Sequence, residues 1–190
     1  LLVATTDILE ALTVPFAVNV RAYNGTTWYK LPQIKGKNDS MFCSHPSIAV
    51  SPDGQSLFIA YLKRPWYGRK NNEVFVEKWN GTAWESMGGT LNVNGQDKDT
   101  WSYRPSIVVS SNGTPYVAWN EHVWGSCAQV YVKHWNGTAW VSDVKDGSSL
   151  NIDGTGGAAQ SVTLTMINDI PVVAWSEYSF GTDYYRRIYV

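Results

Sequence analysis

Carboxylates recur in this chain at a fixed place. Val117-Ala118-Trp119-Asn120-Glu121 and Val173-Ala174-Trp175-Ser176-Glu177 each set a glutamate two residues after a tryptophan. Asp7 holds the same place in an earlier copy, and Lys63 holds it in another. Acids repeated in this way can accept hydrogen bonds from an adjacent turn. They can also bind sugar hydroxyls while neighbouring aromatic rings stack on sugar faces. Glycoside hydrolysis asks for more, because two carboxyl groups must converge within about 5–10 Å of one bond. Acids at equivalent places on successive repeats meet only near a common axis. A structural cap is therefore the stronger reading of Glu121 and Glu177, and a glycan contact is the second.

The other chemistry-bearing residues are scattered. His45, His122 and His134 stand in three different contexts, without a His-Glu-x-x-His spacing or a nucleophile–base pattern. Cys43 and Cys127 make neither a disulfide framework nor a four-ligand zinc site. They read as two buried thiols or as one disulfide stapling adjacent repeats, which requires Cα atoms about 4.4–6.8 Å apart. Asn92-Val93-Asn94-Gly95-Gln96-Asp97-Lys98-Asp99 and Asn151-Ile152-Asp153-Gly154 faintly resemble calcium loops. Lys98 interrupts the first, and the second has one acid before its glycine, so turns are the stronger reading. No catalytic residue, metal or cofactor is assigned from these residues.

The elements that position them are repeats. Tyr23-Asn24-Gly25-Thr26-Thr27-Trp28, Trp79-Asn80-Gly81-Thr82-Ala83-Trp84 and Trp135-Asn136-Gly137-Thr138-Ala139-Trp140 recur at a spacing of about 56 residues. Each is an Asn-Gly turn between aromatic-rich runs, which predicts a tight type I′ hairpin. The alanines at 4, 60, 118 and 174 keep nearly the same phase. Pro46-Ser47-Ile48-Ala49-Val50 and Pro105-Ser106-Ile107-Val108-Val109 open two units, and Gln160-Ser161-Val162-Thr163-Leu164 reads as a degenerate third opening. Helical periodicity is absent.

One unit reads as four strands. In the best copy, strand A is Ser47–Val50, strand B is Ser56–Leu62, strand C is Glu73–Trp79 and strand D is Thr82–Met87. Large apolar groups lie on both alternating faces of strand C, which suits sheets stacked face to face. The repeated Trp79, Trp84, Trp135 and Trp140 then fill the wedge between sheets. Four short antiparallel strands with a longer crossover to the next unit make a β-propeller blade. The fold class is thus all-β, with about three and a half blades in one array. Partial blades cover 1–32 and 159–190, and full blades cover 45–88 and 104–143. The chain resembles the broad bacterial and archaeal surface propellers with sialidase-like or kelch-like blades. The Ser-x-Asp-x-Gly-x-Thr-Trp box of true sialidases is missing, so this resemblance implies a fold and no enzymatic residue. Because propellers usually close with 4 to 8 blades, the expectation is a piece of a larger ring, completed by further blades or further chains.

The 15 basic and 16 acidic residues give a net charge of −1, which argues against nucleic acid as a partner. No run approaches the roughly 20 apolar residues of a membrane span. Low charge and abundant Trp and Tyr suit an extracellular or cell-surface setting. Between strands B and C the units diverge. Trp66 and Tyr67, Trp124, and Phe180 stand there in aromatic- and Gly-bearing excursions, and divergent loops on regular strands are where recognition is carried. Together with Glu121 and Glu177 they form the expected glycan- or protein-binding set. The main functional expectation is a non-catalytic binding or scaffold propeller. The alternatives are a structural subunit of an extracellular assembly and part of a polysaccharide-active propeller enzyme.

Overall fold

A computed structural model describes residues 2–7, 17–35, 41–65, 72–94, 100–123, 125–152, 157–179 and 186–190. These residues are all-β, in four antiparallel sheets. The first holds β1 (Leu2–Asp7), β2 (Ala17–Tyr23) and β3 (Trp28–Lys30). The second holds β4 (Met41–Val50), β5 (Leu57–Pro65), β6 (Glu73–Trp79) and β7 (Trp84–Ser86). The third holds β8 (Thr100–Val109), β9 (Pro115–Val123), β10 (Gln129–Trp135) and β11 (Trp140–Ser142). The fourth holds β12 (Gly157–Ile167), β13 (Ile170–Ser179) and β14 (Arg186–Tyr189). Each sheet is a meander in chain order. The strands β4, β8 and β12 lie side by side in succession. The sheets are therefore propeller-like blades, with those three strands innermost, and they form an open row.

Alternation within single strands explains how both sheet faces become core. Ile59 and Tyr61 of β5 pack with Val18, Val20 and Ile34 of the first blade. Phe58, Ala60 and Leu62 of the same strand pack with Ile107, Val117 and Trp119 of the third. Ala118 of β9 turns the other way, to Val162, Leu164 and Trp175. A strand buried on both sides reads as an unbroken apolar run, which is why Leu57–Leu62 has no polar face.

Three sequence expectations are corrected. The Asn-Gly turns are four-residue loops, since Trp79 pairs with Trp84 and Trp135 with Trp140. Only the glycines take positive φ, 99° at Gly81 and 103° at Gly137. The asparagine instead caps the loop: Asn136 Oδ1 accepts from Thr138 N, Thr138 Oγ1 and Ala139 N. The innermost strands also begin several residues before the prolines, so Cys43 lies within β4. Each innermost strand carries a bulge, between Ser44 and Ser47, Tyr103 and Ser106, and Gln160 and Thr163. Pro46 and Pro105 fall in that break, where no ladder donor is needed. The bulges align Thr163, not Ser161, with Ser47 and Ser106, through their shared pairing to Ala174, Ala60 and Ala118. His45, Arg104 and Ser161 are then equivalent, and all three have positive φ: 52°, 40° and 56°.

Replacing Asn136 by Ala removes one acceptor serving three donors in an exposed loop. A loss of about 1 kcal/mol is expected in urea denaturation. Asn136→Asp, which keeps the acceptor, should lose less.

Candidate functional site

Glu121 ends the run Trp119-Asn120-Glu121 and is 1% exposed. Its Oε1 accepts from Asn94 N at 2.7 Å and Asn94 Nδ2 at 2.9 Å. Its Oε2 accepts from Val93 N and Trp119 Nε1, each at 3.0 Å. One carboxylate thus holds the connection between the second and third blades. Glu177 repeats the device one blade later, accepting from Ile152 N at 3.2 Å and Trp175 Nε1 at 3.0 Å. In both places the carboxylate caps the adjacent connection, the stronger of its two sequence readings, a glycan contact being the second. Burying a carboxylate demands internal donors, and the adjacent connection supplies them.

The asparagines that open the two calcium-like runs are also engaged. Asn92 Oδ1 accepts from Val74 N and Ser102 Oγ, and Asn151 Oδ1 accepts from Val130 N. Among the described residues, no group of three His, Cys, Asp or Glu is placed to hold a metal. Cys43 and Cys127 are thiols with no disulfide between them. Burial pushes the Cys43 thiol up to about 11, so it behaves as a small apolar group.

The second blade carries the opposite charge order. Lys63 occupies the place of Glu121, and Glu77 occupies the place of Lys133. Glu77 accepts from the Tyr61 hydroxyl at 2.7 Å. Burial raises its pKa above the ordinary carboxylate value, against the opposing pull of Tyr61 and Lys63. Lys133 donates to Leu91 O at 2.7 Å and lies 5.8 Å from the Trp119 ring centroid. Burial lowers its pKa, and Glu121 opposes that shift.

Between the third and fourth blades the inner strands part around a cleft of about 410 Å³. Its walls are Tyr103, Arg104, Asn120, His122, Ala128, Ala158, Ala159, Gln160 and Ser161. Ala158 pairs with Tyr178 at the register position that Phe42 and Trp101 hold opposite Arg64 and His122 in the preceding blades. A methyl stands where two other blades carry rings. The floor is fixed by Ala159 N donating to Ala128 O at 2.8 Å. Asn120 is 2% exposed; its Oδ1 meets Val162 N at 3.5 Å, and its Nδ2 has no hydrogen-bond partner among the described residues. His122 stacks on Trp101 with centroids 5.9 Å apart. Burial first, then the charge of Arg104, lowers the pKa of His45. His45 therefore lies within electrostatic reach of the cleft's guanidinium.

Trp66, Tyr67, Trp124 and Phe180 lie outside the described residues. His122 and Ala128 flank the excursion that contains Trp124, and both line the cleft. Trp84 Nε1 donates to Pro32 O at 2.8 Å and Trp140 Nε1 to Met87 O at 2.7 Å, so these rings bridge neighbouring blades. Trp79 and Trp135 lie beside them with rings tilted by 58° and 60°, at 5.2 and 5.6 Å between centroids. Asn24, Asn80 and Asn136 each cap their own loop. The sequence reading passed over Arg104 and Asn120. A signal did exist for Asn120: it takes the pairing position of the core residue Leu62.

The chain has a β-propeller-like all-β fold resembling the glycoside hydrolase and sialidase superfamilies. It is similar in structure to a Hadza microbial sialidase, with TM-score 0.58 and 9% identity over 93% of this chain and 38% of that one. It is similar to an α-L-arabinanase of Penicillium chrysogenum complexed with arabinobiose, with TM-score 0.54 and 15% identity over 95% of this chain and 55% of the other. An endo-arabinase from Bacteroides thetaiotaomicron gives TM-score 0.54 and 12% identity, over 98% and 69%. The chain thus spans less than two thirds of the first two proteins. No protein-family model and no curated protein sequence matches it. The expectation of a non-catalytic scaffold is overturned here, because these structural relatives are carbohydrate-active enzymes.

Glu121→Gln would turn an amide donor toward a pocket filled with donors. It should lower stability by about 3 kcal/mol in urea denaturation; unchanged stability would show that the cap is dispensable. Native Glu77 keeps its proton to higher pH than it does in the unfolded chain. The stability contribution from this raised pKa is fully present below the unfolded value and is lost as pH rises through the folded one. Glu77→Gln, whose carbonyl can still accept from Tyr61, should therefore gain on the unaltered protein as melting is followed from about pH 4 to pH 7.

Proposed function

We propose that this chain forms blades of a polysaccharide-active propeller enzyme, and that the cleft between the third and fourth blades binds its glycan. The observation that carries the reading is Asn120. Asn120, a buried amide whose Nδ2 lacks a partner among the described residues, is one of the residues lining a cleft that also holds a phenol, a guanidinium and a second amide. Sugar recognition uses that mixture, with polar groups for hydroxyls and an aromatic face for the ring. The likeness to a sialidase and to arabinanases supports the assignment. Among the described residues the cleft lining holds no carboxylate, so in this reading it supplies recognition and positioning. The acids that break the bond come from elsewhere in the enzyme.

The aromatic excursions holding Trp66, Tyr67, Trp124 and Phe180 are proposed as further glycan contacts. Polymeric substrates place such an enzyme outside the cell or at its surface. No helix among the described residues is long and apolar enough to cross a membrane.

The test is titration of the full chain with a panel of arabino-, galacturono- and sialyl-oligosaccharides, followed by tryptophan fluorescence and by release of reducing sugar. At least one class should bind. Tyr103→Ala should weaken that binding about tenfold or more, the scale of a lost aromatic anchor, with melting little changed. Absence of binding across the panel would overturn the assignment.

A further inference from the structure

Among the described residues no strand pairs with the far edge of β14, in the fourth blade. Register shows what that edge holds elsewhere. Tyr189 pairs with Trp175 as Tyr131 pairs with Trp119. Ile188 and Val190 are therefore the counterparts of Val130 and Val132, and of Val74 and Val76 in the second blade. In both earlier blades these positions hold the chain that follows the Trp-Asn-Gly-Thr-Ala-Trp turn. Val76 O and Val74 O accept from Met87 N and Leu91 N, and Val132 O and Val130 O accept from Asp143 N and Leu150 N. Val74 N and Val130 N donate to the side chains of Asn92 and Asn151. Strand alternation turns the same backbone groups of Ile188 and Val190 outward, and these residues are 79% and 84% exposed. Beside that edge lies an apolar groove of about 520 Å³. Val132, Asp143 and Leu150 stand on one wall, and Val173, Trp175 and Val190 on the other. One blade earlier the counterparts of these walls, Val76, Met87, Leu91, Val117 and Trp119, form one core cluster with Trp135 and Trp140 packed against it. Trp140 Nε1 closes that arrangement on Met87 O at 2.7 Å. The groove repeats the walls of a tryptophan seat.

We propose that this groove and the edge of β14 dock a segment of a partner chain that carries two tryptophans on an Asn-Gly hairpin, followed by Leu-Asn. Its indoles enter between the two walls, and one of them donates to Asp143 O, the counterpart of Met87 O. Two of its backbone amides donate to Ile188 O and Val190 O, and its asparagine side chain accepts from Ile188 N. This is strand addition to an open edge, with main-chain bonds for affinity and side chains in pockets for specificity. A second copy is not the occupant. Its Trp84 and Trp140 are bonded to its own blades. Its first-blade hairpin has exposed rings, Tyr23 at 39% and Trp28 at 43%, but lacks the asparagine. Ile34 N there makes the bond to Val18 O that Leu91 N makes to Val74 O, and the next residue is Lys35. The groove shares no lining residue with the cleft, so the two sites stand or fall separately.

The experiment is calorimetric titration of the full chain with a synthetic peptide of the sequence Lys133–Asn151, which holds the hairpin, both tryptophans and Leu150-Asn151. The peptide should bind, and amide exchange at Ile188 should slow. Replacing both of its tryptophans by Ala should weaken binding about tenfold or more, the scale of a lost aromatic anchor. Its Asn151→Ala form should bind about threefold or more weaker, as one lost hydrogen bond predicts. In the protein, Val190→Asp puts a charge on the groove wall at an exposed position, so peptide binding should fall about tenfold while melting is unchanged. No binding, or equal binding of the peptide without its tryptophans, overturns the inference. Concentration-dependent association of the chain that the peptide displaces also overturns it, because a second copy is then the occupant.

Discussion

Hydrophobic packing between two sheets sets their separation but leaves them free to slide. What fixes the slide here is a small set of hydrogen bonds that cross from blade to blade. Ser47 Oγ accepts from Ile107 N at 3.2 Å, and Ser106 Oγ accepts from Leu164 N at 3.0 Å. Trp84 and Trp140 reach back to carbonyls of the preceding blade at the outer side. Ser102 N and Ala159 N meet Asn72 O and Ala128 O where one blade passes to the next. Each of these bonds is made twice, one blade apart. One of these bonds, from Ala159 N to Ala128 O, joins two residues that line the cleft.

The polar interior follows a second rule. The second and third blades each place one acid and one base on their middle strands, but not in a fixed order. In the second blade the base is on the second strand and the acid on the third, and the acid takes the Tyr61 hydroxyl. In the third blade the order is reversed, and the acid reaches the connection amides while Lys133 takes a carbonyl of the same connection. The local charge balance survives the exchange, whereas the capping role does not. That is why the acid–tryptophan pattern is clear in two units and broken at Lys63.

Much of the fold can be read in the chain because its signals are local. Strand Glu73–Trp79 ends where Asn-Gly begins, and its observed bounds match those read from the sequence. The outer strand shrinks to Trp84–Ser86 because the loop takes four residues and not two. The innermost strands were read as too short because proline looks like a boundary. A bulge absorbs Pro46 and Pro105 without cost, and that depends on pairing with a partner strand. The mark that Asn120 carries, an amide where the second unit has Leu62, gains its meaning only when β12 packs against β9 and Asn120 joins the cleft lining.

The chain by itself determined the repeat, the positions of the Asn-Gly turns, the four-strand unit and the burial of both sheet faces. These follow from backbone preferences and period-two alternation within a few residues. Tertiary structure decided between cap and ligand contact for Glu121 and Glu177 and between thiols and a disulfide for Cys43 and Cys127, and it alone brought Arg104, Asn120 and Gln160 to one cleft. Those outcomes depend on which face meets which and at what offset. The offset is set by bonds between residues far apart in the chain, such as Ser106 and Leu164, which no short-range pattern encodes.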